Sequence, residues 1–204
     1  MKLDTLKQYY LFTLLFSLIF LYSCEEDDAA PAEENEEEII TDIKLMFTNN
    51  ADANDKVEAK AKDPDGAGTK ELEVSDAINL KANTSYTLTF EIMNNLETPG
   101  EDIGEEVKEE GAEHQIFFAF TEDAFSDPAG NGNIDNASDK INYKDTDAVG
   151  NPIGLITEWT TGSNAVSNGE FTVRLQHQPD LKTAGTGAND GDTDFNLKFV
   201  LNIQ

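Results

Sequence analysis

From residue 39 to the C-terminus the chain alternates apolar and polar residues at a period of two, and this pattern constrains its fold more than any other feature. Ile43, Leu45 and Phe47 share one face, with Asp42, Lys44 and Met46 on the other. "DKVEAKAKD" alternates strictly and places Val57, Ala59 and Ala61 inward. The pattern returns in Tyr86, Leu88, Phe90 and Ile92, in Ile116, Phe118 and Phe120, and in Ile153, Leu155 and Trp159. Phe171, Val173 and Leu175 repeat it, and the chain closes on Phe195, Leu197, Phe199, Leu201 and Ile203. A period of two places alternate side chains on opposite faces of a strand, so each segment reads as a strand with one buried face. Weaker strands are expected around Leu72–Leu80 and Ile141–Asp145.

About nine such strands, separated by Gly, Asn, Asp and Pro turns, predict an all-β fold. The expected form is an antiparallel β-sandwich, loosely immunoglobulin-like, with Leu88 and Phe199 fully buried in central strands. Asn168-Gly169 is the strongest hairpin signal. Helix is scarce: "PGEDIGEEVKEEGA" pairs Ile103 with Val107 four residues apart, which allows one short helix near 101–110. About 165 residues suffice for one core, and no later shift in composition marks a second domain.

The N-terminus follows different rules. Lys2 and Lys7 precede an apolar run from Tyr9 to Tyr22, which ends at Ser23 and Cys24, the only cysteine. Fourteen helical residues rise about 21 Å, short of the roughly 30 Å hydrocarbon core, so the run reads as an export signal over residues 1–23. A lone cysteine forms no internal disulfide. Leu21-Tyr22-Ser23-Cys24 resembles the bacterial lipobox, which implies cleavage before Cys24 and lipidation of that residue; Tyr22 is bulkier than the usual occupant of its position. Residues 25–38, "EEDDAAPAEENEEE", hold nine carboxylates and no base. Such a stretch repels itself and buries too little apolar surface to fold, so residues 24–38 read as a lipidated cysteine and an acidic disordered tether. Residues 39–204 are the sandwich domain.

Charge excludes some partners. The formal net charge is −27, of which −19 falls on residues 39–204. That surface repels phosphate backbones, which argues against nucleic-acid binding, and it attracts cations or basic partners. Attachment to a membrane is expected through covalent lipid.

"EEEIITDIKLMFT", "NLKANTSYTLTFEIMNN", "EEVKEEGAEHQIFFAF", "NPIGLITEWTTG", "FTVRLQHQPD" and "GDTDFNLKFVLNIQ" together resemble a family of small acidic Bacteroidota surface lipoproteins without settled biochemistry. The resemblance covers nearly all of the mature chain. It implies an outer-membrane location, with Glu25, Glu26, Asp27 and Asp28 after the lipidated cysteine acting as a signal for export to the cell surface. A type 1 periplasmic-binding fold, sometimes attached to such proteins, would need alternating strands and helices over a longer chain.

Motifs for catalysis are missing. The sequence has no G-x-S-x-G, P-loop or H-E-x-x-H, and "GTGAND" at 185–190 follows no strand–helix unit. No enzymatic activity is expected. Two loops carry calcium-like ligand strings: Asp127, Asn131 and Asp135 in "DPAGNGNID", and Asp145 and Asp147 in "DTDAVGN". Ala129 and Val149 stand where oxygen ligands would be needed, and Asp and Asn make turns in such loops without a metal.

The two histidines are better placed. His114 opens "HQIFFAF" in phase with Ile116, and His177 ends "FTVRLQH" in phase with Leu175, so both face the core at a strand terminus. Antiparallel neighbours bring one strand's start beside the other's end. If these two strands pair or face each other across the sandwich, the imidazoles meet at one rim as a shared site; the alternative is two independent hydrogen-bonded histidines at the edge of the core. Glu109 and Glu110 would supply a carboxylate there, while Glu113 points away. Two imidazoles and a carboxylate suit zinc or copper better than calcium. The expected function is a non-catalytic binding module that captures a divalent metal or small ligand for an outer-membrane transporter. The alternative is an interaction sandwich that contacts a protein or glycan.

Overall fold

The computed structural model describes residues 38–63, 65, 71–96 and 98–204. The expected export signal, Cys24, the acids Glu25, Glu26, Asp27 and Asp28, and the expected tether up to residue 37 lie outside the described residues. Eleven strands and one helix follow in chain order: β1 (Asp42–Asn49), β2 (Lys56–Lys62), β3 (Glu73–Val74), β4 (Ile78–Leu80), β5 (Ser85–Asn94), β6 (Glu101–Asp102), α1 (Ile103–Glu109), β7 (His114–Phe120), β8 (Phe125–Asp127), β9 (Ile156–Thr161), β10 (Val166–His177) and β11 (Asp192–Ile203).

The strands form two sheets, as the alternation predicts. The larger runs β3-β2-β1-β5-β9-β8, with β6 also paired to β5; the smaller runs β4-β11-β10-β7. All pairings are antiparallel except β4 with β11. On the inner face of the larger sheet Ile43 lies opposite Ile92, Leu45 opposite Phe90 and Phe47 opposite Leu88. On the smaller sheet Phe171 lies between Phe199 of β11 and Phe120 of β7. Leu88 and Phe199 are fully buried. Phe47, Phe118, Phe125, Trp159 and Phe171 interlock between the sheets in edge-on and tilted pairs, the preferred geometry for rings of opposite edge and face charge.

The helix lies within the predicted range. Asp102 caps it, its side chain accepting from Glu105 N, and Ile103 and Val107 are its buried residues. At seven residues it depends on that packing, since helices this short are marginal in water.

Three local expectations differ from the structure. Asn168-Gly169 sits inside β10, not in a hairpin: the β10–β11 register shifts there, and Asn168 takes φ 52°. A bulge and a tight hairpin both call for a residue that tolerates positive φ, so the same dipeptide suits either. Ile141–Asp145 forms no strand; Tyr143 makes a single bridge to Thr157 and donates its hydroxyl hydrogen to Ile116 O at 2.7 Å. The segment from Leu72 to Leu80 is two short strands in different sheets, not one. Among the described residues no helix is long and apolar enough to cross a membrane.

Candidate metal centre

His114 and His177 are direct cross-strand partners, the first residue of β7 against the last of β10. Their rings stack with centroids 4.4 Å apart and planes 11° from parallel. The condition for the imidazoles to meet, pairing of these two strands, is therefore fulfilled. Their mutual orientation decides what each can bind. Nitrogen lone pairs lie in the ring plane, so two nearly parallel, stacked rings aim their donors along separate planes and do not converge on one ion.

Each ring has its own acidic surroundings. His177 Nε2 lies 3.3 Å from Glu113 Oε2, so Glu113 turns toward the rim where strand alternation had it pointing away. The turn between α1 and β7 explains this: Glu113 N and His114 N both bond back to Glu110 O, so regular alternation begins only at His114.

Around His114 the carboxylates are closer and more buried. Its Nε2 lies 3.2 Å from Glu38 Oε1 and 3.9 Å from Asp194 Oδ2, while its Nδ1 lies 3.8 Å from Glu110 Oε2. The His114 side chain is 1% exposed, against 14% for Glu38, 11% for Asp194 and 57% for Glu110. Neither ring nitrogen of His114 has a partner in hydrogen-bond geometry, and neither does Glu38 Oε2. Buried polar atoms are normally satisfied, so these atoms stand out in the core's edge. One donor atom each from Glu38, His114 and Asp194 lie within 4.8 Å of one another, the one such group of metal-ligand type among the described residues.

Three separate stretches of chain build this rim. Glu38 precedes β1 in the segment that includes the buried Ile40 and Thr41. Asp194 reaches the rim through a second bulge: Leu175 opposes Phe195 and Gln176 opposes Thr193, so Asp194 is the extra residue on β11. Bulges re-aim side chains in this way. His114 is held from behind by Lys182, whose fully buried ammonium group donates to the carbonyls of His114 and Gly111 and faces Asp147 Oδ2 at 3.7 Å. Burial lowers the Lys182 pKa, and the Asp147 carboxylate opposes that shift.

Burial opposes the charged form of His114, but the Glu38 and Asp194 carboxylates outweigh it and raise the imidazole pKa. Burial raises the Glu106 pKa, with the charges of Glu101 and Glu38 adding to it. Carboxylates crowded together in a partly dry site favour a cation.

The remaining sequence candidates lie elsewhere. Glu109 is not among the groups around His114. Asp145 accepts from Gly154 N and Leu155 N, and Asp147 from Val149 N and Asn151 N, so both carboxylates organise their own loops. Asp135 accepts from Asn131 Nδ2, and Asp127 faces Lys140 at 3.7 Å. Sequence reasoning missed Glu38, which reads as one more acid of the tether, and Asp194, which alternation places opposite the buried Phe195. No protein-family model, curated protein sequence or solved structure matches this chain.

Proposed function

We propose that this protein is a lipid-anchored, cell-surface binding module that captures a divalent metal ion at Glu38, His114 and Asp194. The observation that carries the reading is the His114 imidazole, 1% exposed, with neither nitrogen in a hydrogen bond and two carboxylates within 4 Å of Nε2. An ion there would satisfy the imidazole and relieve the mutual repulsion of the carboxylates.

The N-terminal sequence supports the location. An export signal, Cys24 in a lipobox-like setting and the acids Glu25 to Asp28 suit attachment to the outer membrane with the domain facing outward. A β-sandwich with an acidic surface suits reception of cations, which a neighbouring outer-membrane transporter would then take up.

Elemental analysis of the mature protein purified without chelator, followed by calorimetric titration with zinc, copper(II) and calcium, tests the function. One transition-metal ion per chain is expected, with binding lost in His114→Ala. No stoichiometric metal and no binding of any of the three would leave the interaction sandwich as the better reading. Location has a separate test: Cys24→Ala abolishes incorporation of labelled palmitate, and retention of the label would refute the anchor.

A further inference from the structure

We propose that the ion binds zinc-like on the Nε2 side of His114, with three protein ligands and one open position, and that Glu110 is a positioning residue on the opposite nitrogen and not a ligand. This rests on the metal-binding reading above and adds which atoms bind, which metal class they suit and what Glu110 does.

The two ring nitrogens face different groups. Glu38 and Asp194 lie toward Nε2, at 3.2 and 3.9 Å, and Glu110 lies toward Nδ1, at 3.8 Å. Two ligand atoms bonded at about 2.1 Å to a tetrahedral ion are roughly 3.4 Å apart. The two Nε2 distances bracket that value, so small side-chain rotations would close the site. A neutral imidazole that gives its Nε2 lone pair to a metal carries its proton on Nδ1. Metal-bound histidines pass that N–H to a carboxylate, carbonyl or water, which fixes the tautomer and ring orientation. Glu110 stands at the C-terminal cap of α1, four residues before His114, and at 57% exposure it can turn to accept this proton.

His177 does not complete the coordination sphere. Its ring lies flat on that of His114, planes 11° apart, so an ion in the plane of one ring is out of the plane of the other. Its Nε2 also faces Glu113, at 3.3 Å. The protein thus supplies one nitrogen and two carboxylates, leaving the fourth position for water or an incoming ligand. That set fits zinc, which accepts four mixed nitrogen and oxygen donors, and not calcium, which needs six to eight oxygens.

Zinc titration by competition with a chelating dye tests the assignment on the mature chain. Glu38→Gln, Asp194→Asn and His114→Ala should each weaken binding more than about 100-fold. Glu110→Gln should weaken it about 10- to 100-fold, the range for outer carboxylates. Glu109→Gln should leave it unchanged. Long-range proton–nitrogen spectra of the zinc-loaded protein, which has two histidines, should show His114 metallated at Nε2 and protonated at Nδ1. Metallation at Nδ1, direct ligation by His177, or an unchanged affinity in Glu110→Gln would overturn this assignment and leave metal capture standing. Absence of zinc binding by the wild type would instead overturn the metal reading itself.

Discussion

Phe171→Ala should be among the most destabilising single truncations in the domain. Phe171 is fully buried on β10, and its ring meets Phe47 at 5.6 Å, Trp159 at 5.1 Å, Phe125 at 6.0 Å and Phe118 at 6.1 Å between centroids. Three of those partners stand on the larger sheet, so the ring joins the two layers. Phe→Ala in a packed core costs about 3–5 kcal/mol through lost transfer energy and the cavity left behind. Edge-on ring pairs add roughly 0.5–1.5 kcal/mol each beyond buried area, although pairs sharing one ring do not sum fully. The expected loss is therefore in the upper half of the range, about 4–5 kcal/mol. For a domain of this size that lowers the melting temperature by roughly 8–20 °C. Trp159 is the sole tryptophan and is buried beside the ring, so its fluorescence reports the unfolding transition in urea directly. Val200→Ala, at an exposed position on β11, is the control and should change stability by less than about 0.5 kcal/mol. A loss below about 2 kcal/mol for Phe171→Ala, with an unchanged urea slope, would refute the view that this ring joins the sheets.

Three further outcomes are expected. Gly191 has φ +79°, and a Cβ there would lie 2.1 Å from the His177 carbonyl oxygen; Gly191→Ala should cost about 2–4 kcal/mol in chemical denaturation, and a neutral effect would mean the loop after β10 yields freely. Burial pushes the Tyr143 pKa up to about 12. The folded state therefore holds this proton more tightly than the unfolded chain, so its contribution, roughly 2–3 kcal/mol, is complete below pH ~10 and lost as pH rises toward ~12. Tyr143→Phe should flatten the fall in stability across that window, and an identical alkaline profile would count against it. Zinc at about 100 times its dissociation constant should stabilise the wild type by about 2.7 kcal/mol but leave Glu38→Gln unmoved at the same concentration; equal thermal shifts in the two would place the ion elsewhere.

Strand alternation was readable wherever a strand has one face on the core and one in water, as in β1, β5 and β11. It loses its meaning in β7, where Phe117, one step out of phase, is as buried as Ile116 and Phe118. β7 is an edge strand, and irregular chain pairs with its free edge: Ile116 N bonds to Ile153 O, Phe120 N to Asn131 O, and Asn133 Oδ1 accepts from Phe118 N. No local pattern announces that pairing, because it comes from residues distant in sequence. The histidines were readable in part: the phase and strand end of each could be read, while the pairing of their two strands could not. Phase and strand end together leave few places for each ring, and antiparallel pairing makes a start and an end coincide.

Glu110 was readable from its place just before β7, but the two carboxylates on the Nε2 side of His114 were not, and the cause differs for each. Glu38 stands in an uninterrupted row of acids, where charge gives no sign of which one turns inward; the structure places Glu38 beside His114. Asp194 is concealed by the bulge on β11, which shifts the register by one between Gln176–Thr193 and Leu175–Phe195. A one-residue shift reverses the face of every side chain beyond it. Applied to "GDTDF", uniform alternation sends Asp194 to solvent and Thr193 inward, and the bulge is what brings Asp194 beside the imidazole. The periodic pattern therefore locates the core, while two of the three groups that would hold an ion lie where that periodicity is interrupted. A bulged residue is free of ladder pairing, so it can turn a charged side chain into the rim without breaking a pair in the sheet. Removing Asp194 by deletion, which would restore the regular register, should therefore preserve the β10–β11 ladder and abolish metal binding. Retained zinc affinity in a folded deletion variant would show that the bulge is incidental to the site.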